Sequence, residues 1–192
     1  MWQALANDTF QVFSSDHAPY RFDESGKLAH GPEPDFKHVA NGVPGVEVRL
    51  PLLFSEGVGK GRIDLNRFVA LAATNAARLY GLYPRKGTIA VGSDADIAIW
   101  DPLREVEIGA AMLHDNVGYT PYEGRRVTGW PEIVLRRGKV IVADGALDAE
   151  RGSGAFQPCA SAEAAKPLGR PAPELDPETN FAAHIQPEDS PT

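Results

Sequence analysis

The order of predicted elements limits what this chain can fold into by itself. A short strand is predicted at residues 9–13, where β-branched and aromatic residues cluster, and a long irregular segment separates it from one clear amphipathic helix. Further strands are predicted between residues 88 and 142. One strand and one helix cannot close a barrel or cover both faces of a sheet. We therefore expect the chain to be the carboxyl-terminal part of something larger.

The helix is defined by its ends as well as by its periodicity. Asp64 is a candidate N-cap, apolar residues recur after it at helical spacing, and Gly81 provides a carboxyl-terminal stop. Thr74 and Asn75 bond readily to the backbone and could divide this stretch into two short helices. A further helical stretch is expected at residues 46–55.

After residue 84 the spacing of apolar residues changes from that of helices to that of strands. Two short strands are expected at residues 88–91 and 96–100. Residues 132–135 and 139–142 predict a hairpin that turns at Arg137 and Gly138, and Asp144 with Gly145 predicts a second turn. Beyond residue 152 the chain becomes rich in Pro, Ala and Glu, which predicts an extended or disordered tail.

Composition excludes several functional classes. The 26 acidic residues outnumber the 19 basic ones, for a formal net charge of −7, so nucleic acid is a poor partner. Cys159 is the single cysteine and cannot form an internal disulfide. There is neither a secretory signal pattern nor an apolar run of about 18 residues, the length of a membrane-spanning helix. A cytoplasmic location is the expectation.

Asp16 and His17 form the most suggestive polar cluster, because they would follow the predicted strand at its carboxyl end, where α/β proteins collect their chemistry. A carboxylate beside an imidazole, followed by the rigid Pro19, suits a metal ligand or a general base. The residues equally allow a structural role, in which Asp16 caps a turn and His17 makes an ordinary hydrogen bond.

Other polar groups favour structural interpretations. Residues 57–61 read Gly-Val-Gly-Lys-Gly but lack the Ser or Thr and the upstream Gly of a phosphate loop, so a turn before the Asp64 helix is expected. His114 and Asp115, near Tyr119 and Tyr122, could form a site, although a structured loop explains them more simply.

Six sequence blocks occur in an order that resembles one enzyme family. They are Ser-Asp-His-Ala-Pro at 15–19, Asn-Gly-Val-Pro-Gly at 41–45, Leu-Leu-Phe-Ser-Glu-Gly-Val at 52–58, Thr-Asn-Ala-Ala at 74–77, the run at 83–96, and Asp-Asn-Val-Gly-Tyr-Thr-Pro-Tyr-Glu-Gly at 115–124. Together they closely resemble the carboxyl-terminal part of dihydropyrimidinases and D-hydantoinases, a branch of the amidohydrolase superfamily. The resemblance runs from about residue 2 to about residue 156.

The resemblance implies an α/β fold: the terminal part of a metal-dependent (β/α)8 TIM barrel, plus the carboxyl-terminal strands of a small β-sandwich. Residues 1–84 would supply the last barrel strand, an active-site loop and helices. Residues 85–150 would form part of the sandwich, and residues 151–192 the tail. The implied activity is hydrolysis of a cyclic amide, which converts a dihydropyrimidine or 5-substituted hydantoin into an N-carbamoyl amino acid.

The resemblance also implies roles for two residues. Asp16 matches the aspartate that follows the last barrel strand, binds metal and shuttles a proton to the departing ring nitrogen. Asn41 matches a residue whose backbone contacts the cyclic amide. The family binds two divalent metal ions, usually zinc, through a His-x-His pair, a carboxylated lysine and two further histidines. Nothing here matches those ligands, so the metal site is expected to be incomplete and the isolated chain inactive.

Related functions remain open alternatives at this point. Dihydroorotases and allantoinases can carry Asp-His at the same position, although the block at 41–45 favours the hydantoinase branch. Non-catalytic assembly proteins share the fold without metal, but they typically lose the metal-binding aspartate that Asp16 matches. The resemblance implies a homotetramer for full-length relatives, and a small cyclic amide rather than nucleic acid or membrane as the partner.

Overall fold

A computed structural model describes residues 1–161 as short helices packed against one antiparallel sheet. The helices are α1 (Trp2–Ala6), α2 (Arg49–Leu53), α3 (Leu65–Val69) and α4 (Asn75–Leu79). A π-helical turn, Phe54–Val58, continues α2, and another, Ala70–Thr74, joins α3 to α4. The strands are β1 (Ile97–Glu107), β2 (Arg126–Arg136), β3 (Lys139–Ala143) and β4 (Ala146–Leu147), with a 3-10 turn at Ala110–Met112. In residues 1–161 no helix is long and apolar enough to cross a membrane.

The helix predicted after Asp64 is confirmed, including its cap. The Asp64 carboxylate accepts a hydrogen bond from the backbone N–H of Arg67 at 2.7 Å. The expected division at Thr74 and Asn75 is wrong, because the backbone stays helical through both residues. The Thr74 hydroxyl donates to the Gly87 carbonyl and the Asn75 amide donates to the Gln11 carbonyl, so neither side chain competes with the helix.

The predicted hairpin is confirmed and is longer than the sequence pattern indicated. The strands are ordered β1-β2-β3-β4, and each pairs with its neighbour antiparallel. Arg137 and Gly138 both have positive φ, 48° and 79°, as the tight turns that join twisted strands require. Asp144 and Gly145 turn the chain in the same way, with φ of 51° and 78°.

Two predicted strands are wrong. Residues 9–13 form no strand, because no neighbouring strand pairs with them in the described part of the chain. The N–H of Phe13 donates instead to the Leu71 carbonyl of the helical segment at 3.0 Å. Residues 88–91 also lie outside the sheet, and Ile89 and Val91 are almost fully exposed. The helix expected at 46–55 begins later, at Arg49, and ends later, at Val58.

The sheet has four strands, and within residues 1–161 neither a closed barrel nor a second sheet forms. The expected assignment of residues 1–84 to the end of a barrel and of residues 85–150 to part of a sandwich stays a prediction. Residues 151–161 of the expected tail are irregular, and the remainder lies outside the described residues.

Phe54 joins the helices to the sheet. Its buried ring stacks on Trp100 of β1, with centroids 5.2 Å apart, and meets Phe68 of α3 edge-on at 5.4 Å. Next to it, the buried Ser55 hydroxyl accepts a hydrogen bond from the Thr128 N–H of β2 at 3.0 Å. The packing of aromatic rings and the satisfied polar group together fix α2 against the strands.

Charged groups reinforce the same junction. The Glu56 carboxylate binds Lys60 at 2.7 Å and Arg125, just before β2, at 3.1 Å. Hydrogen bonds from Lys60 and then Arg125 hold the pKa of the Glu56 carboxyl below its usual value, so the carboxylate stays ionised at neutral pH. A second buried cluster is formed by Val48, Ile108 and Val127. It packs Val48, the residue before α2, against the sheet.

Gly129 should be required where β2 passes Phe54. Its φ is +97°, and an added Cβ would lie 2.2 Å from Cδ1 of the Phe54 ring. We predict that Gly129→Ala lowers the free energy of unfolding by about 3 kcal/mol, because overpacking adds to left-handed backbone strain. Urea unfolding followed by circular dichroism measures the effect.

Gly138→Ala is the matched control for this variant. Gly138 also has positive φ, +79°, but no atom lies within 4 Å of an added Cβ. Only the backbone cost of about 1 kcal/mol is expected there. If both variants lowered the free energy of unfolding equally, contact with Phe54 would not be what excludes a side chain at Gly129.

Candidate functional site

Asp16 lies in an exposed loop that is anchored from helix α2. Its backbone adopts a left-handed conformation, with φ of 48°, which Asp tolerates better than most residues. The expected position at a strand end is wrong, since residues 9–13 form no strand. The Arg49 guanidinium instead donates to the Phe13 carbonyl and fixes the chain three residues before Asp16. Burial lowers the pKa of Arg49 below its ordinary value.

His17 ties the Asp16 loop to the loop that contains Asn41. Its Nδ1 accepts hydrogen bonds from the backbone N–H groups of Gly45 and Val46, at 3.1 and 3.4 Å. A neutral imidazole that accepts at Nδ1 carries its proton on Nε2. The structural interpretation therefore holds for His17. The turn cap expected of Asp16 in the same interpretation is wrong, because within residues 1–161 the Asp16 carboxylate caps no turn.

The two loops also touch through their backbones. The Ala18 N–H donates to the Val43 carbonyl at 3.1 Å. Gly42 has φ of +91°, and a Cβ there would lie 2.5 Å from the Cβ of Ala18, so only glycine allows this approach. Asp16 and Asn41 are both exposed, and each is two residues or fewer from one of these contacts. The structure thus places the two predicted site residues in adjoining loops.

The segment at residues 114–122 supports the Asn41 loop from behind. The Glu47 carboxylate accepts from the His114 N–H and contacts His114 Nδ1, both at 2.9 Å. The Tyr122 ring covers Gly45, where an added Cβ would be 3.4 Å from the ring. The simpler interpretation of this segment, a structured loop, is confirmed. Residues 57–61 likewise form the end of a helix and a turn, and Lys60 is paired with Glu56.

Sequence reasoning missed Arg49, Glu47 and Tyr122 as residues that hold the site. Each acts on a partner more than 30 residues away in the chain. No local pattern reports such a contact, because charged and aromatic residues at these positions also suit an ordinary surface.

The described residues do not form a metal site by themselves. Residues 1–161 contain no group of three or more His, Cys, Asp and Glu side chains placed to hold a metal ion. Asp16 is one carboxylate, whereas a protein site for zinc generally takes at least three protein ligands.

A cavity of about 300 Å³ lies between α4 and residues 86–96, and no residue of the Asp16 or Asn41 loops lines it. Its charged groups already pair with one another, since Lys86 lies 2.8 Å from Asp94 and also contacts Asp96. The hydrogen bonds that the Lys86 ammonium donates to the carboxylates of Asp94 and Asp96 raise the pKa of Lys86. This arrangement is a structural ion-pair cluster beside the chain segment that leads to β1.

Comparison with known proteins decides the family. The model described as "Amidohydrolase family" matches residues 1–141. The chain belongs to the amidohydrolase family. Among curated proteins, this amidohydrolase chain is 47% identical over 156 residues to the D-hydantoinase of Ralstonia pickettii and 46% identical over 156 residues to that of Geobacillus stearothermophilus. These similarities place it in the dihydropyrimidinase and hydantoinase branch.

The match covers most of this amidohydrolase chain but a smaller share of its relatives. It includes 81% of this chain, 33% of the Ralstonia protein and 32% of the Geobacillus protein. The D-hydantoinase structure from Bacillus sp. AR9 superimposes with a TM-score of 0.80 at 45% identity, over 84% of this chain and 35% of that one. The chain therefore spans about a third of the length of the proteins it matches.

The contact of His17 with the Asn41 loop leads to a direct prediction. His17→Ala removes the acceptor for the Gly45 and Val46 N–H groups. We expect both amides to exchange with deuterium about fivefold faster, because each loses a hydrogen bond of about 1 kcal/mol. Exchange followed by two-dimensional NMR measures this change.

His30→Ala is the matched control, because the exposed His30 ring lies against His38 and contacts neither amide. It should leave exchange at Gly45 and Val46 unchanged. Unaltered exchange in the His17 variant would mean that His17 does not hold the two loops together.

Proposed function

We propose that this chain forms part of an enzyme that opens cyclic amides, with a dihydropyrimidine or 5-substituted hydantoin as substrate and an N-carbamoyl amino acid as product. The observation that carries this proposal is the contact between the Asp16 and Asn41 loops through His17. This contact supports the proposal, because it joins the loops that carry Asp16 and Asn41, which are both exposed. The names and identities of the D-hydantoinase relatives support the reaction class.

In the proposed reaction, Asp16 moves a proton. A water oxygen attacks the amide carbonyl carbon of the ring, and the Asp16 carboxylate accepts the proton that the water loses. The same carboxyl group then donates that proton to the ring nitrogen as the carbon–nitrogen bond breaks. The products are a carboxylic acid and an N–H group, so atoms and charges balance. A carboxylate suits this shuttle because it can accept and release one proton in place.

In this proposal, the Asn41 loop orients the ring. Asn41 is exposed, and its neighbours are fixed to the Asp16 loop through Ala18 and His17. A backbone N–H and carbonyl on a fixed loop can bind a cyclic amide edge, which itself offers one acceptor and one donor. Such positioning lowers the barrier by limiting the geometries in which the ring meets the attacking oxygen.

Metal enters the proposal only through Asp16. We propose that Asp16 provides one ligand to a centre of two divalent metal ions, zinc as the family resemblance implies, whose other ligands come from outside the described residues. Residues 1–161 do not fit a complete metal site, so no step above passes through one. We further propose that the intact enzyme is a homotetramer.

A chimera tests the proposed function. In it, residues 1–156 of this chain replace the matching third of the Ralstonia pickettii D-hydantoinase, which leaves that protein's other two thirds in place. We expect the folded chimera to open hydantoin and dihydrouracil. A chimera that acts only on dihydroorotate or allantoin would contradict the substrate assignment. A folded chimera that opens no ring, beside an active parent, would contradict the proposed function.

The role of Asp16 is tested in the same chimera. Asp16→Asn should reduce kcat at least about a hundredfold while the protein stays folded, because an amide cannot accept the proton. Asp35→Asn is the matched control, since Asp35 is an exposed loop carboxylate whose side chain, within residues 1–161, bonds only to Lys37 and His38. Near-normal turnover in the Asp16 variant would exclude this carboxylate as the proton carrier.

A further inference from the structure

Lys27, which is not one of the predicted site residues, binds the backbone on both sides of Asn41. Its ammonium donates to the carbonyl of Ala40 at 2.8 Å and to the carbonyl of Gly42 at 2.6 Å, the two residues that flank Asn41. Both distances are those of strong, charge-assisted hydrogen bonds. A lysine side chain with two such bonds loses much of its conformational freedom. Lys27 is therefore held in place, whereas a freely solvated surface lysine is not.

The loop around Lys27 is folded to present this side chain. The Lys27 N–H donates to the Arg21 carbonyl at 2.8 Å, and the Leu28 N–H donates to the Asp23 carbonyl at 2.9 Å. Gly26 lies so close to the Arg21 carbonyl that an added Cβ would be 2.2 Å from its oxygen. The Ser25 hydroxyl donates to the Asp23 carboxylate and holds the pKa of that carboxyl below its usual value. Residues 21–28 therefore form an ordered turn.

The two bonds leave the polar groups of Asn41 itself free. Within residues 1–161, neither the N–H nor the carbonyl of Asn41 has a hydrogen-bond partner, although both neighbouring carbonyls are occupied by Lys27. The Ala40 carbonyl and the Asn41 N–H belong to one peptide group. A cation bound at that carbonyl oxygen polarises the group and makes the Asn41 N–H a stronger donor.

We propose that Lys27 is a positioning residue for the substrate: it fixes the backbone at Ala40 and Gly42 and strengthens the Asn41 N–H as a donor to a carbonyl oxygen of the cyclic amide. This inference rests on the proposed function for its substrate. It adds a residue that lies in none of the sequence blocks shared with the family and that acts only through the backbone of its neighbours. Lys27 itself touches no reacting atom.

The first test concerns the lysine contact alone and uses the full 192-residue chain. In Lys27→Met, the ¹³C′ resonances of Ala40 and Gly42 should move upfield, because their carbonyls lose a charged donor. Lys37→Met is the matched control, since Lys37 is an exposed lysine of the same loop region and should leave both resonances in place. Unmoved resonances in the Lys27 variant would overturn the inference.

The second test concerns the substrate and uses the chimera. Lys27→Met should raise KM about tenfold or more, because two charge-assisted bonds that hold the Asn41 loop are lost. The value of kcat should change little, as expected when a contact binds the substrate and its transition state equally. Lys27→Arg should restore part of the affinity, because a guanidinium keeps the charge and several N–H donors.

The outcomes separate the inference from the proposed function. An active chimera whose KM is the same with and without Lys27 would overturn the inference and leave the function intact. A rise in KM that Lys37→Met reproduces would also overturn it. A folded chimera without any activity would overturn the proposed function and the substrate role of Lys27 together, whereas the carbonyl resonances would still report the contact itself.

Discussion

The packing of Phe54 against the sheet is the interaction on which the rest of the structure depends. Its ring contacts Phe68 and Trp100, which also contact each other, and β2 can pass it only because Gly129 has no side chain. This contact sets where α2 lies. Arg49, at the start of α2, in turn binds the Phe13 carbonyl and so places the loop that carries Asp16. The position of a surface carboxylate thus follows from an aromatic contact in the core.

The site is built from loops that are held by side chains rather than by regular secondary structure. Between residues 14 and 46 there is neither a helix nor a strand in the described chain, yet the loops are fixed by His17, Lys27 and Glu47. Each of these groups bonds a backbone atom of a distant segment. Backbone groups in loops must find such partners, and here the partners also hold the loop that carries Asp16 against the loop that carries Asn41.

Much of the fold follows from local sequence signals. The Asp64 cap and the turns at Arg137 and Asp144 depend on residues a few positions apart, and all three were predictable. The strand expected at residues 9–13 was not realised, because a strand depends on neighbours that residues 1–161 do not provide. The same limit applies to the site. Asp16 and Asn41 stand in recognisable blocks, whereas Lys27 bonds across 13 to 15 residues without a local pattern.

The contacts of His17 and Ala18 hold the Asp16 loop against the Asn41 loop within this chain. Nuclear Overhauser effects between the Ala18 methyl group and the Gly42 α protons, measured in the 192-residue chain, test it most directly. The close approach at Gly42 predicts strong cross-peaks, together with a slowly exchanging Ala18 N–H bonded to Val43. Absent cross-peaks, with random-coil shifts through residues 14–46, would show that the chain does not hold these two loops together.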